Sequence, residues 1–272
     1  MPPYAIVLPS SRGIGFALTR LLLQKTRLPV FATARQDPER TKQDILDSLP
    51  DVESERLQVL RVDFEDEGTL RSAVDFIKMK YPLGGKGSTG NHAEDNYARM
   101  VFCVPGVLYP EKTPEQVDYE NALTTYKINT LGPLMAMKHL LPLLPRKSTS
   151  ISPADHCPKH AVWATMSARV GSVTDNTLGG WYSYRSSKSA VNALVKTFDL
   201  HLRNSAGANA ISVGLHPGTV KTDLSKGFWK TVKEDKLFAP EMAAEYLLNV
   251  VNGLQTEQRG RIWDWEGKEI PP

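Results

Sequence analysis

Only two cysteines, Cys103 and Cys157, occur in 272 residues. That is too few for a disulfide framework, so the fold must be held by its core. Long apolar runs are missing as well. The richest stretch, Leu131 to Leu144, is broken by Gly132, Pro133, Lys138, His139 and Pro142, far from the roughly 18 consecutive apolar residues of a membrane span. No short apolar segment behind a basic start resembles a secretion signal. Nor is charge of one sign in excess: 33 basic and 30 acidic side chains give a formal net charge of +3, too small a bias to predict a nucleic-acid partner. One absence is local. Residues 1–36 hold no acid but five basic groups, Arg12, Arg20, Lys25, Arg27 and Arg35, leaving 28 basic against 30 acidic groups in the remainder. An acid-free, Arg-containing start is one mark of a mitochondrial leader. Here, however, the segment carries strand and helix patterns of its own, and the expectation is a reducing, cytoplasmic home.

What is present is an ordinary globular composition, 41% hydrophobic and 23% charged. At this length about three quarters of the unfolded surface can be buried around one core. Tyr4 to Leu8 reads as a strand, Gly13 to Gln24 has helical spacing in Ile14, Leu18, Leu21 and Leu22, and Val30 to Ala34 is a second strand. The alternation continues with strands at Leu57 to Val62, Met100 to Val104, Ala161 to Met166 and Ile211 to Leu215, and a weak one near Ile262. Helices are expected at Thr69 to Lys80, at Pro114 to Leu144 with an interruption near Gly132-Pro133, at Tyr184 to Arg203 and at Glu241 to Asn252. Such a rhythm predicts a single α/β domain over 1–272, a doubly wound parallel sheet of about seven strands with helices on both faces. Two polar stretches, 84–98 and 146–160, are expected as surface-loop insertions.

Ser11, Arg12, Gly13, Ile14 and Gly15 follow the first strand and open a helix. Glycines there let backbone approach a pyrophosphate, while the helix N-terminus offers free N–H donors and a favourable dipole. A tight turn without a ligand has the same pattern. About twenty residues further on, sites for NAD carry a carboxylate against the ribose, whereas sites for NADP need a cation for the 2′-phosphate. Gly15 plus twenty is Arg35, and the first acid is Asp37. Arg12 and Arg35 together therefore predict NADP(H); solvated surface arginines are the plainer alternative. Further along, Tyr184 and Lys188 stand four apart on one helix face. An ammonium beside a phenol lowers a pKa of about 10 toward the range useful for acid–base catalysis.

Together these features resemble the short-chain dehydrogenase/reductase family, from Tyr4 to about Trp263. The resemblance is carried by Arg12-Gly13-Ile14-Gly15, Asp63, Asn129, Tyr184-x-x-x-Lys188 and His216-Pro217-Gly218-Thr219-Val220-Lys221-Thr222-Asp223. Ser167 to Ser172 and Gly179 to Arg185 are similar to the C-factor-like branch. The resemblance implies a Rossmann fold and hydride transfer between NADP(H) and a small-molecule carbonyl or secondary alcohol. It implies Tyr184 as proton donor and acceptor, Lys188 as the group that lowers its pKa and holds the nicotinamide ribose, and Asn129 as support for a water in the proton relay. It also implies Asp63 at the adenine, Gly106 in the cofactor site, and Pro217, Gly218, Val220 and Thr222 around the nicotinamide. The plainer alternatives are a helix-kink partner for Asn129, a turn former for Asp63 and a capping residue for Thr222.

Three positions depart from the family pattern. Leu8-Pro9 stands for Thr-Gly, Cys103-Val104-Pro105-Gly106 for Asn-Asn-Ala-Gly, and Ala168 for the serine that polarises the substrate carbonyl, so that Ser167 is expected in that role with Ser172 as the alternative. These departures keep open a weakly active or inactive NADP(H)-binding sensor or signalling protein, and the Tyr/Lys pair also serves epimerases and dehydratases. His156, Cys157 and His160 lack a fourth ligand nearby, so no metal is expected. Trp263-Asp264-Trp265 is expected to pack the C-terminal segment, and 224–239, with Phe228, Trp229, Leu237 and Phe238 among lysines, to form a substrate lid. No membrane partner is expected. Apolar excess on the two long helices predicts a homodimer or homotetramer.

Overall fold

The computed structural model describes residues 3–82 and 96–272, so the expected loop at 84–98 lies outside the described residues except for its last three positions. In chain order the elements are β1 (Tyr4–Leu8), α1 (Gly13–Lys25), β2 (Val30–Ala34), α2 (Pro38–Leu46), β3 (Leu57–Arg61), α3 (Glu67–Lys80), β4 (Ala98–Cys103), α4 (Tyr119–Tyr126), α5 (Gly132–Leu140), β5 (Ala161–Met166), α6 (Tyr182–Ser205), β6 (Ala210–His216), β7 (Thr219–Val220), β8 (Leu237–Phe238), α7 (Pro240–Gly253), β9 (Ile262–Asp264) and β10 (Glu269–Ile270). The main sheet has eight strands in the order β10-β9-β6-β5-β4-β1-β2-β3, with β7 and β8 forming a separate pair. All neighbours in the main sheet run parallel except β10 against β9.

Both faces of the sheet are apolar because both are covered. Ala5 and Val7 of β1 join one cluster with α1 and α7, while Tyr4, Ile6 and Leu8 join a second with α3, α5 and the C-terminal half of α6. Alternate side chains of each strand thus feed opposite helical layers. The order reverses between β1 and β4, so crossovers leave these neighbours in opposite directions and open a crevice at their carboxyl ends.

The expected seven parallel strands are present. The antiparallel edge β10 and the β7–β8 pair are additions, each only two residues long per strand and too short to show a period in sequence. α2 was not expected either. It buries only Thr41 and Ile45, yet Asp37-Pro38 marks its start: Pro38 occupies the first turn and the Asp37 carboxylate accepts from the Arg40 N–H. The interruption expected near Gly132-Pro133 is a π-helical turn at Lys127–Leu131. Pro133 has no N–H for the Asn129 carbonyl, and its ring would crowd that carbonyl in an unbroken α-helix. The segment 146–160 carries no regular element; buried Arg99 of β4 donates to the carbonyls of Pro158 and Ser152 and ties it to the sheet. Trp265 packs against Phe238 and Tyr246.

Candidate active site

Because the strands are parallel, their carboxyl ends share one edge, and the loops leaving β1, β4, β5 and β6 meet there. Arg12 caps α1 in extended conformation, and Gly13 takes a φ of +58°. A Cβ on Gly15 would stand 1.9 Å from the Pro9 carbonyl oxygen and 3.1 Å from Val104 Cγ2. Only a glycine lets the start of α1 sit this close to β1. From the other side, a Cβ on Gly13 would lie 3.3 Å from Thr222 Cγ2, and exposed Arg12 pairs with Asp223 at 3.3 Å. Gly218, with φ +74°, is pressed against Phe238 and Trp265, which fixes the Pro217–Thr222 loop. Ser225, at the start of the following turn, donates to the Val220 carbonyl, while the Thr222 hydroxyl faces the same carbonyl at 3.4 Å.

Tyr184 and Lys188 lie on α6, both buried. The Lys188 ammonium donates to the Met166 carbonyl at 2.8 Å and stands 5.7 Å from the centre of the Tyr184 ring. Gly171 makes room for this turn of α6, since a Cβ there would come within 2.8 Å of Lys188 Cβ. Burial pushes the Tyr184 phenol up to about 12 and the Lys188 ammonium down to about 8. Desolvation penalises both charged forms, and the ammonium, turned toward the Met166 carbonyl, is not among the groups that move the phenol.

Asn129, fully buried in the π turn, donates to the Val107 carbonyl and to Ser187 Oγ, and accepts from the Val107 N–H. Both amide protons are used, so its side chain ties the segment after β4 to α6 and has none left for a water. Ser167 also departs from expectation: its hydroxyl donates to Asn192 Oδ1 at 2.5 Å, one turn beyond Lys188. Ser172 donates to the Pro272 carbonyl and accepts from the Asp175 N–H. Neither hydroxyl is bonded toward Tyr184. Asp63 caps its own turn by accepting from the Glu65 N–H. Exposed Arg35, at the end of β2, has no ion-pair partner among the described residues, while Arg12 turns to Asp223. Gly106 faces Leu224, with Cδ1 3.3 Å from where a Cβ would be.

Two neighbours of Tyr184 were not anticipated. The Trp181 indole meets the Tyr184 ring edge-on at 6.1 Å and the Phe228 ring at 4.9 Å. Buried Glu111 accepts from the Ser183 N–H. Trp181 was legible as an aromatic beside the motif; nothing in the sequence around Glu111 signals its burial. Among the described residues no group of three or more His, Cys, Asp or Glu is placed to hold a metal ion, and no helix is long and apolar enough to cross a membrane.

No family model matches the chain. Individual proteins do. Short-chain dehydrogenase srdF of Neurospora crassa is 32% identical over 271 residues, covering 96% of this chain and 94% of that protein. The chain belongs to the short-chain dehydrogenase/reductase family. C-signal of Myxococcus xanthus is 34% identical over 155 residues, 57% of this short-chain dehydrogenase/reductase and 81% of C-signal. Among solved structures, the carbonyl reductase Sniffer of D. melanogaster superposes with a TM-score of 0.80 at 25% identity, covering 99% of both chains. The NADPH-bound carbonyl reductase from chicken fatty liver superposes with a TM-score of 0.79 at 23% identity over the whole of both chains, a likeness of fold.

Proposed function

We propose that this protein is an NADP(H)-dependent oxidoreductase that interconverts a carbonyl and a secondary alcohol. The observation that carries the proposal is the buried Tyr184–Lys188 pair on α6, set at the sheet edge where the glycine loop and the 217–222 loop meet. The names of the relatives, a short-chain dehydrogenase and carbonyl reductases, one of them NADPH-bound, point the same way.

The residues present fit the cofactor. Gly13 and Gly15 let the start of α1 pack directly against Thr222 and the Pro9 carbonyl, α1 presents its N-terminus there, and Arg35, with no ion-pair partner among the described residues, stands where an NAD site would need a carboxylate. Asp37, the nearest acid, is occupied in capping α2. In this reading Ser11 to Gly15 hold the pyrophosphate and Arg35 the 2′-phosphate. Arg12 joins Arg35 on leaving Asp223, an exposed pair of about 0–1 kcal/mol. Asp63 lies toward the adenine, Gly106, Pro217, Gly218, Val220 and Thr222 toward the nicotinamide, and Tyr184 and Lys188 at its ribose. The bound cofactor supplies or takes the hydride. Tyr184 gives its proton to the substrate oxygen in reduction and receives it in oxidation, Lys188 holds positive charge beside it, and Asn129 keeps Val107 and Ser187 in place. Ser167 is kept as the family-motif hydroxyl, and its part at the carbonyl requires release from Asn192.

Trp181 stands against the Tyr184 ring with Phe228 packed on it, and Leu224 lies against Gly106. We infer a substrate with an apolar body and assign 224–239 as its lid, with cytoplasmic residence, testable by cell fractionation, part of the same proposal. A second reading, an NADP(H)-binding protein with weak turnover, draws on the commitment of Ser167 and Ser172 elsewhere. NADPH titration followed by turnover against a panel of aromatic and aliphatic carbonyls tests both. Binding with turnover supports the oxidoreductase, binding alone the second reading, and no NADPH binding overturns both.

A further inference from the structure

α6 begins without a cap of its own. Trp181 at the N-cap takes a φ of 52° and makes no side-chain hydrogen bond, and no acid falls in the first turn. Its free amides are met instead from a segment some seventy residues upstream. The Glu111 carbonyl accepts the Trp181 N–H at 2.6 Å, and Glu111 Oε2 accepts the Ser183 N–H at 2.8 Å. Gly180, with φ +67°, packs on the same carbonyl, and a Cβ there would lie 3.3 Å from it. Glu111 is 3% exposed; its Oε1 and the Ser183 hydroxyl are buried without partners among the described residues.

Removing a carboxylate from water with one hydrogen bond and no ion-pair partner among the described residues is unfavourable. The positive end of a 24-residue helix offsets part of that penalty. Ser, Asp or Asn at position 181 would cap α6 with no buried charge. What Glu111 adds is a connection. Ser183 and Ser187 lie one turn apart on either side of Tyr184. Ser183 is held by Glu111, and Ser187 by Asn129, which itself holds Val107. Both anchors lead to the single segment 107–111 after β4.

We propose that Glu111 is a positioning residue for Tyr184: its carbonyl and carboxylate fix the first turn of α6, and with it the phenol and the Trp181 indole, against the segment that carries Gly106 and Val107. The activity arm of the test rests on the oxidoreductase reading. In Glu111→Ala, kcat per NADPH-binding site falls about tenfold or more, as expected when a reacting group is misplaced, while NADPH affinity stays within about twofold. Glu111→Gln, whose amide oxygen still accepts from Ser183, recovers kcat to within about threefold. Glu111→Asp, which keeps the charge but shortens the reach by a methylene, shows the loss in a variant less prone to misfolding. A purely structural role would reduce the number of binding sites and leave kcat per site unchanged; that result in Glu111→Ala or Glu111→Asp overturns the proposal. Amide hydrogen exchange on the wild-type protein needs neither turnover nor a variant. A Ser183 amide protected like those in the middle of α6 supports the clamp even if no carbonyl is reduced. A Ser183 amide that exchanges like an uncapped helix start overturns it.

Discussion

Replacing Tyr184 by phenylalanine removes one oxygen from a buried ring that packs on Trp181, so the fold should be kept while the proton donor is lost. Carbonyl reduction is expected to fall by about 10²-fold or more, with NADPH binding intact by fluorescence titration. Tyr182→Phe, at a side chain 42% exposed, should leave turnover near wild type; the reverse pattern would mean that the motif is misregistered. At the end of β2, Arg35→Asp is expected to erase or invert a preference for NADPH over NADH, and equal wild-type affinity for the two would remove Arg35 from the site. The serine positions give a sharper test. Loss of a donor at the substrate oxygen typically costs about 10²-fold or more in kcat. Since the Ser167 proton is committed to Asn192, Ser167→Ala should cost less than about tenfold; a loss of the full size would mean that substrate draws this hydroxyl away from Asn192. A large gain from Ala168→Ser would show that the natural protein lacks the donor.

At the scale of elements, α6 is tied at both ends by carboxylates. Glu111 meets its start, and near its end fully buried Asp199 receives Arg259 at 2.9 Å and the Ser212 N–H of β6. Arg259→Leu leaves Asp199 with the Ser212 N–H and, as its remaining ion-pair partner among the described residues, exposed Arg203 at 3.3 Å, and a loss of about 3–5 kcal/mol is expected in urea unfolding; a change below about 1 kcal/mol would show that Arg203 suffices. Neither tie could be read in advance. Glu111 and Asp199 are single acids in unremarkable surroundings, and their roles depend on tertiary neighbours 72 and 60 residues away. The strands and helices of the doubly wound sheet were legible because Ala5/Val7 and Tyr4/Ile6 feed opposite faces and the helices carry their own period. α2 escaped because two buried residues make no apolar stripe, although Asp37-Pro38 announced it. In the site, the glycine loop and Tyr184–Lys188 were legible because backbone approach and one-turn spacing are local properties. The orientations of Ser167 and Asn129 were not, since each is decided by a partner on another element.

For the molecule as a whole, exposed Tyr119, Tyr126, Leu131 and Leu200 on α4, the π turn and α6 support the expected homodimer or homotetramer. Light scattering should give a mass that is a multiple of 30.2 kDa; a concentration-independent monomer mass would contradict it. Acid should also destabilise the fold. Burial, with Arg169 beside it, pushes His216 from 6.5 down to about 4, and burial with Arg99 and Arg259 does the same at His160. Between these values the unfolded chain takes protons that the folded chain refuses. Stability is therefore full above pH 6.5 and declines as pH falls through about 4. The fall in Tm over this window should flatten in the His160→Gln/His216→Gln double variant, and an unchanged slope would assign it to carboxylates. The strand order has a last consequence, for synthesis on the ribosome. β1 lies between β2 and β4, so it emerges early but acquires its second neighbour only when Ala98–Cys103 follows, roughly 5–20 s later at ordinary elongation rates. Until then one edge of a wholly apolar strand stands open in the nascent chain, the period in which a chaperone bound to the N-terminal segment would most raise the yield of folded protein.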